Sequence, residues 1–346
     1  MRVTLMMKCL TLWAAFCFPL PAQDATSTPA KAIEGKTARA TLRVAVPPDG
    51  LLAPPIFRMA NQRVLAREGV DMECVPWKNQ DQLRALIVSG KADIVGLHLP
   101  TAALFEAKGM PVKFLGASLG NVLYILTDNP QARTLGDLRG KTLAVPMRGE
   151  FPDVLLRTVL EQNGLRDAIP LQYTATSLDA ANQLSSGAIG AALVAEPHAS
   201  ILQKRLEAAP GAGRKIYRSI SMQEAWDAAR GGSAPMPTAG MAAFGKRAGD
   251  QRLLDLFWKA YVRETEWCIQ HPNEAIALLG DALQDEISRE GAAAAFSACA
   301  RRSVASALER ERIQAYLDAL GKTAPEPFGN LHPKDAFYWR PSGGGH

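Results

Sequence analysis

Residues 135–164 read LGDLRGKTLAVPMRGEFPDVLLRTVLEQNG, and this stretch decides the fold. A short turn leads into an apolar strand at 142–145. A polar loop follows at 146–151, and Pro152 opens a helix. Leu155, Leu156, Val159 and Leu160 recur at helical spacing, and Gly164 stands where a C-cap glycine belongs. Strand, loop and helix N-terminus in this order form the unit that holds a small ligand at the carboxyl end of an α/β sheet.

Upstream the same alternation repeats. Residues 41–46 predict a strand running into the loop Pro47-Pro48-Asp49-Gly50. Residues 54–68 predict a helix with Ile56, Ala60 and Val64 on one side, ended by Gly69. A strand at 70–75 and a helix at 80–89 come next. Residues 92–97 form a continuous apolar run suited to a strand buried on both faces. Pro100 opens a helix that reaches Gly109, and 112–118 is a further strand. This order predicts a doubly wound sheet.

A strand at 121–127 leads into the opening stretch, and a second α/β series continues beyond it. Strands are predicted at 171–174, 191–194 and 215–219, with helices at 178–185 and 197–208. Residues 239–244 read as a return crossing. The chain then turns helical, first along Leu253, Leu254, Phe257, Tyr261 and Ile269, then at 273–279, 283–298 and 304–320. These helices are expected to pack on the first lobe. Phe328, Phe337, Tyr338 and Trp339 are candidate anchors of a proline-containing tail, and 342–346 is expected to be disordered.

The N-terminus departs from this pattern. Arg2 and Lys8 precede an apolar run at 9–20, and Leu20-Pro21-Ala22 offers a small-residue cleavage site, the layout of a secretory signal peptide. Its removal would lower the net charge from +5 to +3. The expected division is a signal peptide at 1–22, a flexible leader at 23–40, a discontinuous first lobe at 41–121 plus 240–322, a second lobe at 122–239, and an irregular tail at 323–346. The charges are scattered, without the basic patch that nucleic-acid binding requires. Cys74, Cys268 and Cys299 remain in the mature chain without a CxxC. Cys268 and Cys299 either pair in an oxidising compartment or stay as buried thiols.

A chain that leaves one α/β lobe, builds another and returns has two crossing strands, hence a hinge and a cleft. The DLRGK element at 137–141 before its strand, the helix ending in Asn163-Gly164-Leu165, and Ala195-Glu196-Pro197 after a strand add a family likeness. From about Leu42 to Leu320 the sequence resembles the periplasmic substrate-binding proteins of ABC importers in the SsuA/TauA/NMT1 (THI5-like) group. The resemblance implies an α/β type II periplasmic-binding-protein fold with two doubly wound lobes. It implies capture of a small solute and its delivery to a membrane permease with its ATPase. Known ligands of the group include sulfonates, taurine, nitrate and pyrimidine precursors of thiamine. The chain departs from the group at Arg148-Gly149-Glu150, where sulfonate and nitrate binders often carry a small Gly/Ser-rich loop.

By the strand-end rule the cleft is lined by loops at 47–53, 97–101, 147–153 and 195–198, with 237–240 at the return crossing. The candidate ligand-binding residues are Asp49, His98, Leu99, Thr101, Arg148, Gly149, Glu150, Glu196, His198 and Thr238. Helix starts attract anions, yet Glu150 and Asp153 place negative charge at this one. Asp153 reads as dipole complementation, whereas Glu150 either meets the solute or does not. If both carboxylates face the cleft, an amine-bearing or heteroaromatic solute fits better than a bare anion. Arg148 either receives a carboxylate or sulfonate or pairs with Glu150 in solvent. Glu196 reads as a cap or hinge contact before a ligand contact.

His98 and His198 lack metal-ligand spacing, so no metal or other cofactor is expected. Residues 116–120, GASLG, match a hydrolase elbow, but a strand rather than a helix follows, so no catalytic residue is assigned. The expectation is a monomeric periplasmic binding protein and not an enzyme. A sensing or scavenging receptor of the same fold is the alternative, and a THI5-like enzyme the third.

Overall fold

The computed structural model describes residues 39–209, 214–230, 236–324, 329 and 331–343. The expected signal peptide and nearly all of the leader lie outside the described residues, as does Phe328. The first α/β series folds as β1 (Ala40–Val46), α1 (Ala53–Asn61), β2 (Val70–Pro76), α2 (Gln80–Val88), β3 (Ile94–His98), α3 (Leu99–Ala107) and β4 (Val112–Leu119). The second folds as β5 (Leu123–Thr127), β6 (Leu143–Pro146), α4 (Phe151–Gln162), β7 (Leu171–Thr174), α5 (Ser177–Ser185), β8 (Ala191–Ala195), α6 (His198–Ala208), β9 (Tyr217–Ser221) and α7 (Met222–Arg230). The chain ends with β10 (Ala239–Phe244), α8 (Gln251–Gln270), α9 (Pro272–Ala277), α10 (Glu286–Cys299), β11 (Ala300–Ala305) and α11 (Arg310–Thr323).

These strands make two sheets. The first has the order β11-β4-β10-β3-β1-β2, the second β7-β6-β8-β5-β9. β1 runs parallel to β2 and β3, and β6 runs parallel to β7 and β8. β10 and β5 run against their neighbours for a simple reason: each enters its sheet from the crossing. Ala239, the first residue of β10, faces His98 and Leu119, the last residues of β3 and β4. Leu123, the first of β5, faces Ala195, the last of β8. The carboxyl ends of the forward strands in both sheets therefore lie beside the two crossings.

Burial follows from strand alternation. In the second sheet Ile125, Leu143, Val145 and Leu193 join the large core, while Leu126, Ala144, Ala192 and Val194 build a smaller core on the opposite face. Gly240 lets β10 touch β4, since a Cβ there would stand 1.9 Å from the Gly116 carbonyl oxygen.

Some expectations fail. The helix expected over 54–68 stops at Asn61, and Arg63 takes a positive φ of 51° before the chain re-forms a short 3-10 turn. α7 lies where the sequence reading draws no helix bounds. The helix expected from Val304 begins at Arg310, because Ala300–Ala305 is an edge strand held to β4, with the Ser303 hydroxyl donating to Ser118 Oγ at 2.9 Å. The C-terminal helices also divide. α8 and α9 pack on α1 as expected, but α10 packs on α6 and α11 on α4, both helices of the second series.

The tail is tied down. Phe337 and Trp339 are fully buried, Trp339 meets Trp258 at 5.4 Å between ring centroids, and the Trp339 backbone N–H donates to the Phe114 carbonyl. Within 342–346, the described Ser342 donates its N–H to Asp255 at 3.1 Å. Ser118 lies inside β4 and accepts from Tyr261 at 2.8 Å, which removes any nucleophile elbow. Cys74, Cys268 and Cys299 are free thiols, and burial raises Cys268 to about 12.

Candidate functional site

Between the strand ends of the two sheets lies a cavity of about 480 Å3. The loops that follow β1, β2 and β3 line it from the first sheet. Those that follow β6, β7 and β8 line it from the second. The first turns of α1 to α6 consequently converge on it. Its walls are apolar at Leu51, Leu52, Trp77, Leu97, Leu119 and Leu123.

Converging helix starts would ordinarily favour an anion, but this sequence blunts them. Pro54 and Pro55 on α1, Pro100 on α3 and Pro152 on α4 stand in the first turns, and proline has no N–H to offer. Asn79 caps α2 by accepting from Gln82 N, and Thr176 forms a capping box with Asp179 at α5. Glu196 accepts from the Ser200 N–H at 3.0 Å in the first turn of α6.

Of the residues singled out from sequence, Asp49, His98, Glu150, Glu196 and His198 line the cavity. Leu99, Thr101 and Thr238 are buried beside it instead. The Thr238 hydroxyl donates to the Leu119 carbonyl at 2.8 Å, and its own carbonyl accepts from Leu99 N at 3.0 Å, so it fastens the return crossing to β4 and α3. Arg148 is exposed and sits over the Tyr173 ring, 5.1 Å from its centroid. Gly149, at φ +77°, donates its N–H to Asp153.

Asp153 is 1% exposed and takes three donors: Gly149 N at 2.8 Å, Arg157 Nε at 3.1 Å and the Tyr173 hydroxyl at 3.1 Å. It shapes the loop before α4. Glu196 is similarly occupied, by the Ser200 amide and hydroxyl and by the Arg218 guanidinium, which lies 3.5 Å from the centre of the Tyr124 ring.

Two contacts close the cavity between the sheets. Arg84 of α2 pairs with Glu150, and His98 stacks on Phe151 with centroids 4.5 Å apart. Burial lowers the His98 pKa to about 4, so the ring is neutral near pH 7. Burial also lowers His198, while Asp49 pulls it upward and Arg205 downward. Among the described residues no three His, Cys, Asp or Glu side chains are placed to hold a metal ion.

Sequence reading left out the two loops after β2 and β7, which bring Lys78 and Thr176 to the wall, and Arg84 in α2 beyond the first of them. The strand-end rule applied to those loops as well would have found them.

A family model described as NMT1/THI5 like matches residues 65–275. The chain belongs to the NMT1/THI5-like family. No curated protein sequence matches it. Among solved structures this NMT1/THI5-like chain is similar to an ABC transporter protein from Parabacteroides distasonis, with a TM-score of 0.69 and 17% identity over 88% of this chain and 99% of that one. It is also similar to the periplasmic aliphatic sulphonate binding protein SsuA of Escherichia coli, with a TM-score of 0.66 and 17% identity over 87% and 92%. The alkanesulfonate-binding protein SsuA from Xanthomonas axonopodis pv. citri, bound to MOPS, gives 0.65 and 17% over 87% and 98%. The shared architecture is the type II periplasmic-binding-protein fold, with two sheets, two crossings and a cavity between strand ends.

Proposed function

We propose that this NMT1/THI5-like chain is the periplasmic solute-binding component of an ABC importer. It captures a small organic solute in the cavity between its sheets and delivers it to a membrane permease and ATPase. The observation that carries this reading is the cavity itself, an apolar chamber built by loops from both sheets of a single chain. One chain completes it, so a monomer suffices. The similar solved structures of ABC-system binding proteins support the reading, as does the signal-peptide pattern at 1–22.

Function follows from a shift of population. The solute settles on one sheet's loops, and contacts from the other favour the closed form, which the permease distinguishes from the open one. No step requires bond chemistry, and the hydroxyl in the elbow-like segment 116–120 is bound within β4.

Mass spectrometry of molecules released on denaturing freshly purified protein tests the reading. A small organic solute recovered in near-stoichiometric amount, and recovered unchanged after incubation with the refolded protein, is the expected result. Conversion of that molecule into a product would replace the binding reading with a catalytic one.

A further inference from the structure

We propose that the solute of this cavity has an apolar body and one cationic, hydrogen-bond-donating nitrogen, received by Asp49. The proposal rests on the solute-capture reading above and names the chemical class of its ligand.

Asp49, Asp81, Glu150 and Glu196 are the carboxylates on the wall. Three of them are spoken for. Arg84 holds Asp81 through Nη1 at 3.2 Å and Glu150 through Nη2. Glu196 is held by Ser200 and Arg218. Asp49 has neither hydrogen bond nor ion pair among the described residues, and acts only electrostatically on the His198 ring, whose protonation burial disfavours. It is half-buried, next to Gly50 and the wall residues Leu51 and Leu52. A carboxylate withdrawn from water without a donor costs free energy, and a ligand ammonium or protonated ring nitrogen removes that cost.

The positive groups are disposed the other way. Arg84 is already shared by two carboxylates. His98 and His198 have their protonation suppressed by burial. Lys78 is exposed at the rim. The helix starts that would greet an anion are capped or carry proline. A bare anion could accept from the Trp77 indole N–H, which is buried without a partner, but its charge would be matched only by drawing Arg84 away from Glu150 or Asp81; Gln80 Oε1, an acceptor likewise without a partner, suits a donor instead. A cation displaces nothing.

The test uses three probes on one skeleton: benzylamine, benzyl alcohol and phenylmethanesulfonate. Calorimetry and thermal shift are run on the purified protein and on Asp49→Asn, beside identification of the solute released on denaturation. The expected result is a released solute bearing a basic nitrogen, or preference for benzylamine over the other two. Asp49→Asn is expected to weaken amine binding by about ten- to a hundredfold and to weaken binding of the alcohol, a neutral donor, less. A released solute that is anionic without an amine, preference for the sulfonate, or amine binding indifferent to Asp49→Asn overturns the assignment and leaves solute capture standing. Protein that yields no solute and binds none of the probes overturns both.

Discussion

The Arg84 guanidinium on α2 donates to the carboxylate of Glu150, the residue just before α4, so the two halves of the cavity wall are tied across its mouth. The neighbouring Phe151 adds its stack with His98. The ion pair is partly exposed, 42% at Arg84 and 24% at Glu150, which limits it to about 1 kcal/mol or less.

That magnitude suits a latch that must reopen. Arg84→Met or Glu150→Gln is expected to enlarge the radius of gyration of the solute-free protein in low salt, measured by small-angle X-ray scattering. The melting temperature should barely move. Salt at about 1 M should produce the same expansion in the parent protein, because the screening length falls to about 3 Å. A parent protein whose dimensions ignore both salt and mutation would exclude a latch role for this pair.

Asp153, three residues beyond Glu150, behaves differently. Its three donors and near-complete burial make Asp153→Asn a stability variant, with an expected loss of about 2 kcal/mol in urea unfolding. Solute affinity of the folded fraction should change less than in Glu150→Gln. Equal affinity losses in the two variants would put Asp153 in the solute's path.

Gly291 on α10 has no room for a side chain. A Cβ there would lie 2.6 Å from the Ile201 Cα on α6. Gly291→Ala is expected to cost about 1–3 kcal/mol, read by chemical denaturation, despite alanine's better helix propensity. A stabilised variant would mean that the two helices separate without penalty.

His98 sets a pH dependence. Its folded value of about 4 lies below the ordinary 6.5, so between those values the unfolded chain binds the proton more readily. Its contribution is fully present above pH 6.5, is lost as pH falls toward 4, and declines no further below that. His98→Phe, which keeps the ring against Phe151, should flatten this part of the stability profile relative to the parent. Parallel profiles between pH 7.5 and 4.5 would refute the depressed value.

Much of this was legible in the sequence, for local reasons. Residues 142–164 show strand, loop and helix by periodicity alone, and the strand-end rule carried Asp49, His98, Glu150, Glu196 and His198 to the cavity. Side-chain direction was not legible. Met147 and Gly149 both take positive φ, 55° and 77°, so the loop turns twice. Arg148 ends over Tyr173, while Glu150 meets Arg84. β11 stayed hidden because ARRSVA has no clean alternation, and its register with Leu119, Ala117 and Gly116 is set by residues far away in the chain. The commitment of Glu196 to Arg218 likewise depends on a contact that spacing does not encode.

The packing of α10 on α6 decides which pieces of the molecule travel together. Gly291 brings the α10 backbone close against the Ile201 backbone, and Arg205 adds bonds to Asp285 and Ser288. α10 therefore rides with α6 as one stiff arm. Any widening of the cavity must therefore be absorbed not only at the two sheet crossings but also where α10 is joined to the chain: the stretch between α9 and α10, and the junction at Cys299 and Ala300.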